Sequence, residues 1–393
     1  MQSKPLQDDT GRCTAMDLEL YLKQLEELVN IDSGSKNAAG INLVADKLEQ
    51  WYLDLGWNVK PIDLGEETGR MLLITNHPER DHYDVMFVGH MDTVFPDGTA
   101  AARPFRIEGD NYYGPGVGDM KNGDVAMYHI AASLSKEALE NLSIAMLYNP
   151  DEEIGSVYSR GEMDKIGAKA DYIFVMESAG RQGTRHCFAR KGAMDFDIEF
   201  RGQAAHAGFM FEVENASAVL EMGHYITTLM GLASREKDTT VNVGMAQGGT
   251  ARNVVADYAR IGVEMRFWND DERNRLKAAV QQMVDGEPYV KGVKVNIVQS
   301  HETAPFVKTE AAKAFGEVMK KTAEELGIEF LEKDRGGLSD ANHLSRCGNA
   351  IVVDGMGPHG ALDHSEKEYG YIGSVEPCVR LFVKLLEDMA AAK

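Results

Sequence analysis

Five short stretches of the chain carry acids or histidines in tight groups. They are Gly89-His90-Met91-Asp92, Gly118-Asp119-Met120-Lys121, Pro150-Asp151-Glu152-Glu153, Met176-Glu177-Ser178 and Asp363-His364-Ser365. Imidazole nitrogen and carboxylate oxygen suit zinc, cobalt or manganese, zinc being the commonest. A carboxylate between two cations can bridge them. Paired cations roughly 3.5–4 Å apart can share one water and stabilise both sides of a displacement. A metal-bound histidine usually has a carboxylate behind its other nitrogen, and Asp92, two residues after His90, can serve there. Each stretch alone has a plainer reading. His-x-Asp is more often a turn pair, and Asp151-Glu152-Glu153 an acidic loop in water. A lone Glu177 or His364 carries no information.

Their positions along the chain carry the argument. Apolar runs at Met71–Thr75, Val85–Gly89, Ser143–Tyr148 and Tyr172–Met176 alternate with helical stretches, including Asp124–Leu134. Leu18, Leu22, Leu25 and Val29 predict a helix over 16–30, and Ile41, Val44, Leu48, Trp51 and Leu55 mark another. Strands apolar on both faces and separated by helices predict an α/β fold, a mostly parallel sheet with helices on both faces. His90, Glu152 and Glu177 each follow one of these runs, so a parallel sheet places them at one edge, where open sheets bind ligands.

The pattern changes near Gly192. It then reads strand (194–200), helix (216–232), strand (240–245), strand (259–267), helix (272–284), strand (293–299). That order is the ferredoxin-like β-α-β-β-α-β unit. The first style resumes with a helix over 309–326, a strand at 350–353 and a helix over 375–392. The expected organisation is a discontinuous metal-binding domain, 1–190 and 304–393, interrupted by an inserted α+β domain, 191–303, serving dimerisation or as a lid.

Composition sets outer limits. The 393 residues carry 41 Lys and Arg against 62 Asp and Glu, a formal charge of -21. An acidic chain is a poor nucleic-acid partner, since phosphates need a basic face. No membrane-length apolar run is present, and no apolar segment follows the opening Met1-Gln-Ser-Lys-Pro. The cysteines (Cys13, Cys187, Cys347, Cys378) are widely spaced, as in a reducing compartment, and the cytoplasm is the expected location. Gly114-Pro-Gly-Val-Gly118 matches no phosphate-binding loop, and Asp119 directly after it would repel phosphate. Its glycines more simply let the backbone turn so that Asp119 faces the metals.

These motifs, in this order and with this domain insertion, resemble the di-zinc exopeptidases and deacylases: carboxypeptidase G, acetylornithine deacetylase, succinyl-diaminopimelate desuccinylase and aminoacylase. The stretch Ser178 to Ala216 looks closest to the carboxypeptidase G type. The resemblance implies that His90, Asp119 and Glu177 hold one zinc and that Asp119, Glu153 and His364 hold the other, with Asp119 bridging. Glu152 is then the general base and acid, and Asp92 orients His90. Ala205-His206-Ala207-Gly208 matches the family's histidine motif, whose imidazole is expected to reach a partner subunit's active site in a homodimer. Asn253, in Gly248-Gly-Thr-Ala-Arg-Asn253, matches a substrate contact, and Arg266 matches the arginine that binds the substrate carboxylate. A cis peptide between Asp119 and Met120 is implied as well. The chain departs from the pattern at Ala256, where a proline is usual, and in the bulkier loop Phe209-Met-Phe-Glu-Val. Both departures fall on the substrate side.

The expected activity is two-metal hydrolysis of the amide bond of a C-terminal amino acid, in a small peptide or an N-acyl amino acid. The alternatives are an N-acyl amino-acid deacylase or desuccinylase of the same family, and an inactive member acting as a binding protein.

Overall fold

The computed structural model describes residues 16–180 and 185–393. Cys13, the opening five residues and part of the Ser178–Ala216 stretch lie outside the described residues. The chain divides into two compact units. One comprises the described part of Met1–Phe188 with Lys308–Asp334 and Ser339–Lys393; the other comprises Ala189–Val307 with Arg335–Leu338.

The first unit is built on a mixed, mostly parallel sheet. Its strand order is Asn58–Ile62, Met71–Thr75, Ile144–Asn149, Tyr83–His90, Ala170–Val175, Ile351–Val353. Tyr83–His90 is buried at every position, so both of its faces are covered. It pairs in parallel with Ile144–Asn149 on one side and Ala170–Val175 on the other, and Ile351–Val353 extends the parallel run. Met71–Thr75, although fully buried, runs antiparallel to Ile144–Asn149. The outer strand Asn58–Ile62 has no counterpart in the sequence reading. It is largely exposed and contains Pro61, which an edge strand tolerates.

Helices cover this sheet where the apolar spacing indicates. Leu18–Val29 buries Tyr21, Leu25, Leu28 and Val29, and the side chain of Asp17 caps it by accepting from the N–H of Leu20. Ala38–Asp54 begins ahead of Ile41 because Asn37 caps it, accepting from the N–H of Gly40. Glu310–Glu325 and Val375–Ala391 fill the two places expected near the C-terminus. A wide turn, Val117–Lys121, leads into the helix Asn122–Ser133, and within it the Asp119–Met120 peptide is cis. A second, small sheet orders Gly360–Ala361, Tyr369–Tyr371, Asn111–Tyr113 and Arg106–Glu108. Strands this short leave no periodic signal in the sequence.

The main sheet of the second unit is antiparallel, ordered Thr240–Gly248, Tyr258–Phe267, Gly192–Arg201, Lys294–Thr303. With the helices Ala218–Met230 and Asp270–Asp285 this is the ferredoxin-like arrangement. Alternate residues Met194, Phe196, Ile198 and Phe200 join Ile261, Val263, Met265 and Phe267 in its core. Ser217 and Asn269 cap the helices, accepting from Leu220 and Glu272 N–H groups. Arg335–Leu338 joins this unit because Arg190 donates to the carbonyls of Gly337 and Leu338, both at 3.2 Å.

Candidate active site

His90 ends the central strand, where the parallel neighbours also end. The glycine before it is required: a Cβ on Gly89 would come within 2.2 Å of Asp124 Oδ1, on the helix packed behind. The turns after the flanking strands bring in Glu152 and Glu153 on one side and Glu177 on the other. Asp119 and His364 come from loops tied together by the small sheet. Tyr369–Tyr371 pairs with both Asn111–Tyr113 and Gly360–Ala361, so the segment before Asp119 and the hairpin carrying His364 lie side by side. Gly116, at φ 71°, makes the turn into Asp119 possible, and His364 itself adopts φ 61°.

The five metal-binding residues expected from the sequence converge. His90 Nε2 lies 3.1 Å from Asp119 Oδ1 and 3.5 Å from Glu177 Oε1. The other Asp119 oxygen, Oδ2, lies 3.1 Å from His364 Nε2, which is 3.2 Å from Glu153 Oε2. Glu152 offers an oxygen within 4.8 Å of the ligand atoms of His90 and Glu177. Asp92, fully buried, stands behind His90: its carbonyl is 3.1 Å and its Oδ1 3.4 Å from Nδ1.

The cluster is crowded with acids and demands positive charge. Burial alone would lower the His90 pKa, but hydrogen bonds to Asp119, Asp92 and Glu177 raise it well above the ordinary value. Hydrogen bonds to Asp119 and Glu153 push His364 up to about 11. Burial works to raise the Asp119 pKa, yet both histidines hold it below the usual carboxylate range. Burial pushes Glu152 well up, the His90 charge opposes this, and the charges of Glu177, Asp340 and Glu153 add to it.

Divalent cations fit this arrangement. Imidazole and carboxylate are the right donors. Atoms sharing a tetrahedral cation with bonds of about 2.0–2.1 Å stand about 3.3 Å apart, and the four spacings above run from 3.1 to 3.5 Å. Glu153 Oε1 is buried without a hydrogen-bond partner, which a cation would relieve.

Glu368 was not found from the sequence. Its buried carboxylate accepts the N–H groups of Gly116 (3.1 Å), Gly118 (2.7 Å) and Asp119 (3.1 Å). Burial pushes its pKa up to about 8, against the pull of those donors. The available signal was its place four residues after His364, which spacing alone does not interpret.

The substrate-contact residues expected from the sequence lie in the second unit. His206 ends the short strand Ala205–His206, paired with Val254–Val255, and its Nδ1 accepts from the N–H of Gly208 at 3.1 Å. Asn253 directly precedes that partner strand, and its carbonyl accepts from Ala207 at 2.9 Å, so the two motifs form one exposed structure. Arg266 lies on Tyr258–Phe267, where its Nε donates to Glu264 at 2.6 Å. That pair is partly exposed.

A mostly parallel α/β unit with histidines and carboxylates gathered at the strand ends defines a metal-dependent hydrolase. The chain belongs to peptidase family M20/M25/M40, whose profile matches residues 86–388. It is a hydrolase of the carboxypeptidase and deacylase type. It is 26% identical over 379 residues to carboxypeptidase G2 of Pseudomonas sp. (strain RS-16), covering 95% of this chain and 90% of the relative. An acetylornithine deacetylase of Vibrio parahaemolyticus is 26% identical over 314 residues, covering 74% of this chain and 79% of the relative. Among solved structures, a tripeptidase of Staphylococcus aureus superposes with a TM-score of 0.79 at 23% identity, covering 96% of this chain and all (100%) of that one. Among the described residues no helix is long and apolar enough to cross a membrane.

Proposed function

We propose that this protein hydrolyses the amide bond that joins a C-terminal amino acid to a small peptide or an acyl group, using two divalent cations, zinc in our reading. One observation carries the proposal. Each oxygen of Asp119 faces a different imidazole, and each imidazole has a further carboxylate beside it. His90, Glu177 and Asp119 would hold one cation, and His364, Glu153 and Asp119 the other. Bound there, the cations supply Lewis acidity, making water a stronger acid and the amide carbonyl a better electrophile.

The protein's own groups do the rest. Glu152 takes a proton from the attacking water and later delivers it to the leaving nitrogen. Its carboxylate stands beside His90 and Glu177, where it can both accept and return a proton. Asp92 fixes the orientation of His90. His206 polarises the scissile carbonyl, Asn253 contacts the substrate, and the terminal nitrogens of Arg266 hold the carboxylate of the departing amino acid.

The deacylase reading uses the same chemistry and differs in which side of the amide is recognised. The acetylornithine deacetylase relative favours it. An inactive binding protein is disfavoured by Glu152 standing beside a complete donor set. We further propose a homodimer in the cytoplasm, where the unbridged Cys347 and Cys378 suit a reducing medium. The test is an assay of the metal-loaded chain against dipeptides and N-acyl amino acids, with glutamate and aspartate among the leaving groups. Release of a C-terminal amino acid is expected. Failure across the whole panel, with metal bound, would remove the reading.

A further inference from the structure

The turn that presents Glu152 and Glu153 ends in an unfavourable backbone conformation. The chain leaves the strand Ile144–Asn149, passes Asp151 and curls through the short turn Glu152–Ile154. Gly155 N–H closes it on the Glu152 carbonyl at 2.7 Å, and Ser156 N–H on the Asp151 carbonyl at 2.9 Å. Gly155 stands at φ 88° and Ser156 at φ 53°. A glycine enters that region freely. A serine does so at a cost, and stays there where its surroundings impose it.

One carboxylate does the imposing. Ser156 Oγ donates to Asp340 Oδ1 at 2.5 Å. At the other end of the turn Asn149 Nδ2 donates to Asp340 Oδ2 at 2.8 Å and to Ser156 Oγ at 2.9 Å. Asn149 Oδ1 accepts the N–H of Asp151 at 3.0 Å. Asn149, Ser156 and Asp340 are all buried, so these bonds are shielded from water. Asp340 thus clips the residue before the turn to the residue after it.

Asp340 is itself fixed within the metal-binding unit. It lies between the short helix Ala341–Leu344 and Ser339, whose Oγ donates to Asp354 Oδ2 at 2.6 Å. Asp354 directly follows the sheet strand Ile351–Val353. Burial would raise the Asp340 pKa, yet its contact with His343 above all holds it below the usual carboxylate range. An ionised carboxylate accepts at both oxygens, as the two clips require.

We infer that Asp340 is a positioning residue for amide hydrolysis: by holding both ends of the turn it sets where the proton carrier Glu152 and the cation ligand Glu153 stand. This rests on the amide-hydrolase reading of the site. The plainer role, holding the fold together, predicts lost stability and nothing else.

The test uses the full chain and two readouts. Hydrolysis by the metal-loaded chain is followed on the panel of dipeptides and N-acyl amino acids. Zinc affinity is measured by titrating zinc into the stripped chain against a chelating dye. Asp340→Asn turns one acceptor oxygen into a donor facing a donor. It should lower kcat by about tenfold or more with KM little changed, because an error of about 1 Å at a reacting group can cost about 10²-fold. The Kd of one of the two zincs should rise by about 10–100-fold, the scale for groups that orient ligands. Each loss should shrink where the group it acts through is gone. At saturating zinc, Asp340→Asn should lower kcat much less in a Glu152→Gln chain, and it should weaken zinc much less in a Glu153→Ala chain. Ser156→Ala removes one clip and keeps the charge. It should move both readouts the same way by less, and it stands in if Asp340→Asn does not fold. Full additivity in both pairs would overturn the inference and leave amide hydrolysis standing. So would a lower melting temperature with kcat and zinc affinity unchanged. No hydrolysis of any panel member by the unaltered chain would remove both.

Discussion

The backbone N–H of Glu152 donates to Asp92 Oδ1 at 3.0 Å. The neighbouring N–H of Glu153 and the hydroxyl of Ser35 donate to Oδ2, at 3.1 and 2.6 Å. Asp92 therefore does more than stand behind His90. It also fixes the turn that aims Glu152 and Glu153 into the cluster, so one carboxylate sets the spacing between proton carrier and metal ligands.

That arrangement separates the variants around it. Glu152→Gln should lower turnover by at least about 10²-fold, the usual scale for removing a general base, with metal content near normal. Glu153→Ala should instead lower metal occupancy. Asp92→Asn presents an NH₂ where N–H donors already point, and should lose both turnover and metal affinity, the latter by about 10–100-fold. Metal analysis beside steady-state kinetics checks all three. A Glu152→Gln chain with wild-type rate would refute its role.

The parallel sheet and the ferredoxin-like insertion were legible in the sequence because long apolar periods write themselves there. Tyr83–His90 is an example, buried along its whole length. The placement of His90, Glu152 and Glu177 followed, since residues after parallel strands must share an edge. Asn58–Ile62 was not legible, being an exposed edge strand held by pairing alone. Nor was the small sheet carrying the His364 hairpin, whose strands of two or three residues depend on partners far along the chain. Glu368 was hidden for a related reason: its partners are backbone N–H groups, which have no sequence signature.

Glu368 yields its own prediction. Its oxygens collect the donors of the turn that presents Asp119. Glu368→Gln replaces one acceptor oxygen by a donor in a buried place, and so leaves N–H groups facing N–H groups. Metal affinity should fall by about 10–100-fold, the scale for groups that orient ligands, with secondary structure retained by circular dichroism. Unchanged affinity would assign Glu368 to the fold alone.

A polar network around the turn that carries Glu152 and Glu153 gives a pH dependence. Asp340 accepts from Asn149 Nδ2 at 2.8 Å and from Ser156 Oγ at 2.5 Å, and His343 lies 2.7 Å from Asp164 and 3.1 Å from Asp340. Burial would lower the His343 pKa, but hydrogen bonds to Asp164 and Asp340 raise it to about 9. An unfolded histidine titrates near 6.5. The folded state therefore binds this proton more tightly, and the stability it contributes is fully present below pH ~6.5 and lost as pH rises through about 9. The contribution is on the order of 3 kcal/mol. Urea unfolding should show a drop between pH 6 and pH 10 that is smaller in His343→Gln. An equal drop in both would place the loss elsewhere.

Assembly is the last prediction. The sheet of the second unit ends in Thr240–Gly248 on one side and Lys294–Thr303 on the other, and most residues of both strands are exposed. Open strand edges invite pairing with another chain, and the commonest soluble outcome is a two-fold dimer. The competing arrangement is a monomer whose edges are guarded by charge, and Lys294 and Glu302 do lie on one of them. His206 decides between the two, because it is exposed and its imidazole is hydrogen-bonded to the Gly208 N–H of its own loop. If it serves the partner's site, a His206→Ala chain and a Glu152→Gln chain, each inactive alone, should regain activity when mixed. A mixed dimer then holds one intact site, with Glu152 from the first chain and His206 from the second. Random pairing makes half of the dimers mixed, so recovery should approach about a quarter of wild-type activity per chain. Sedimentation as a monomer at working concentration, with no recovery on mixing, would overturn both the dimer and the action of His206 across it.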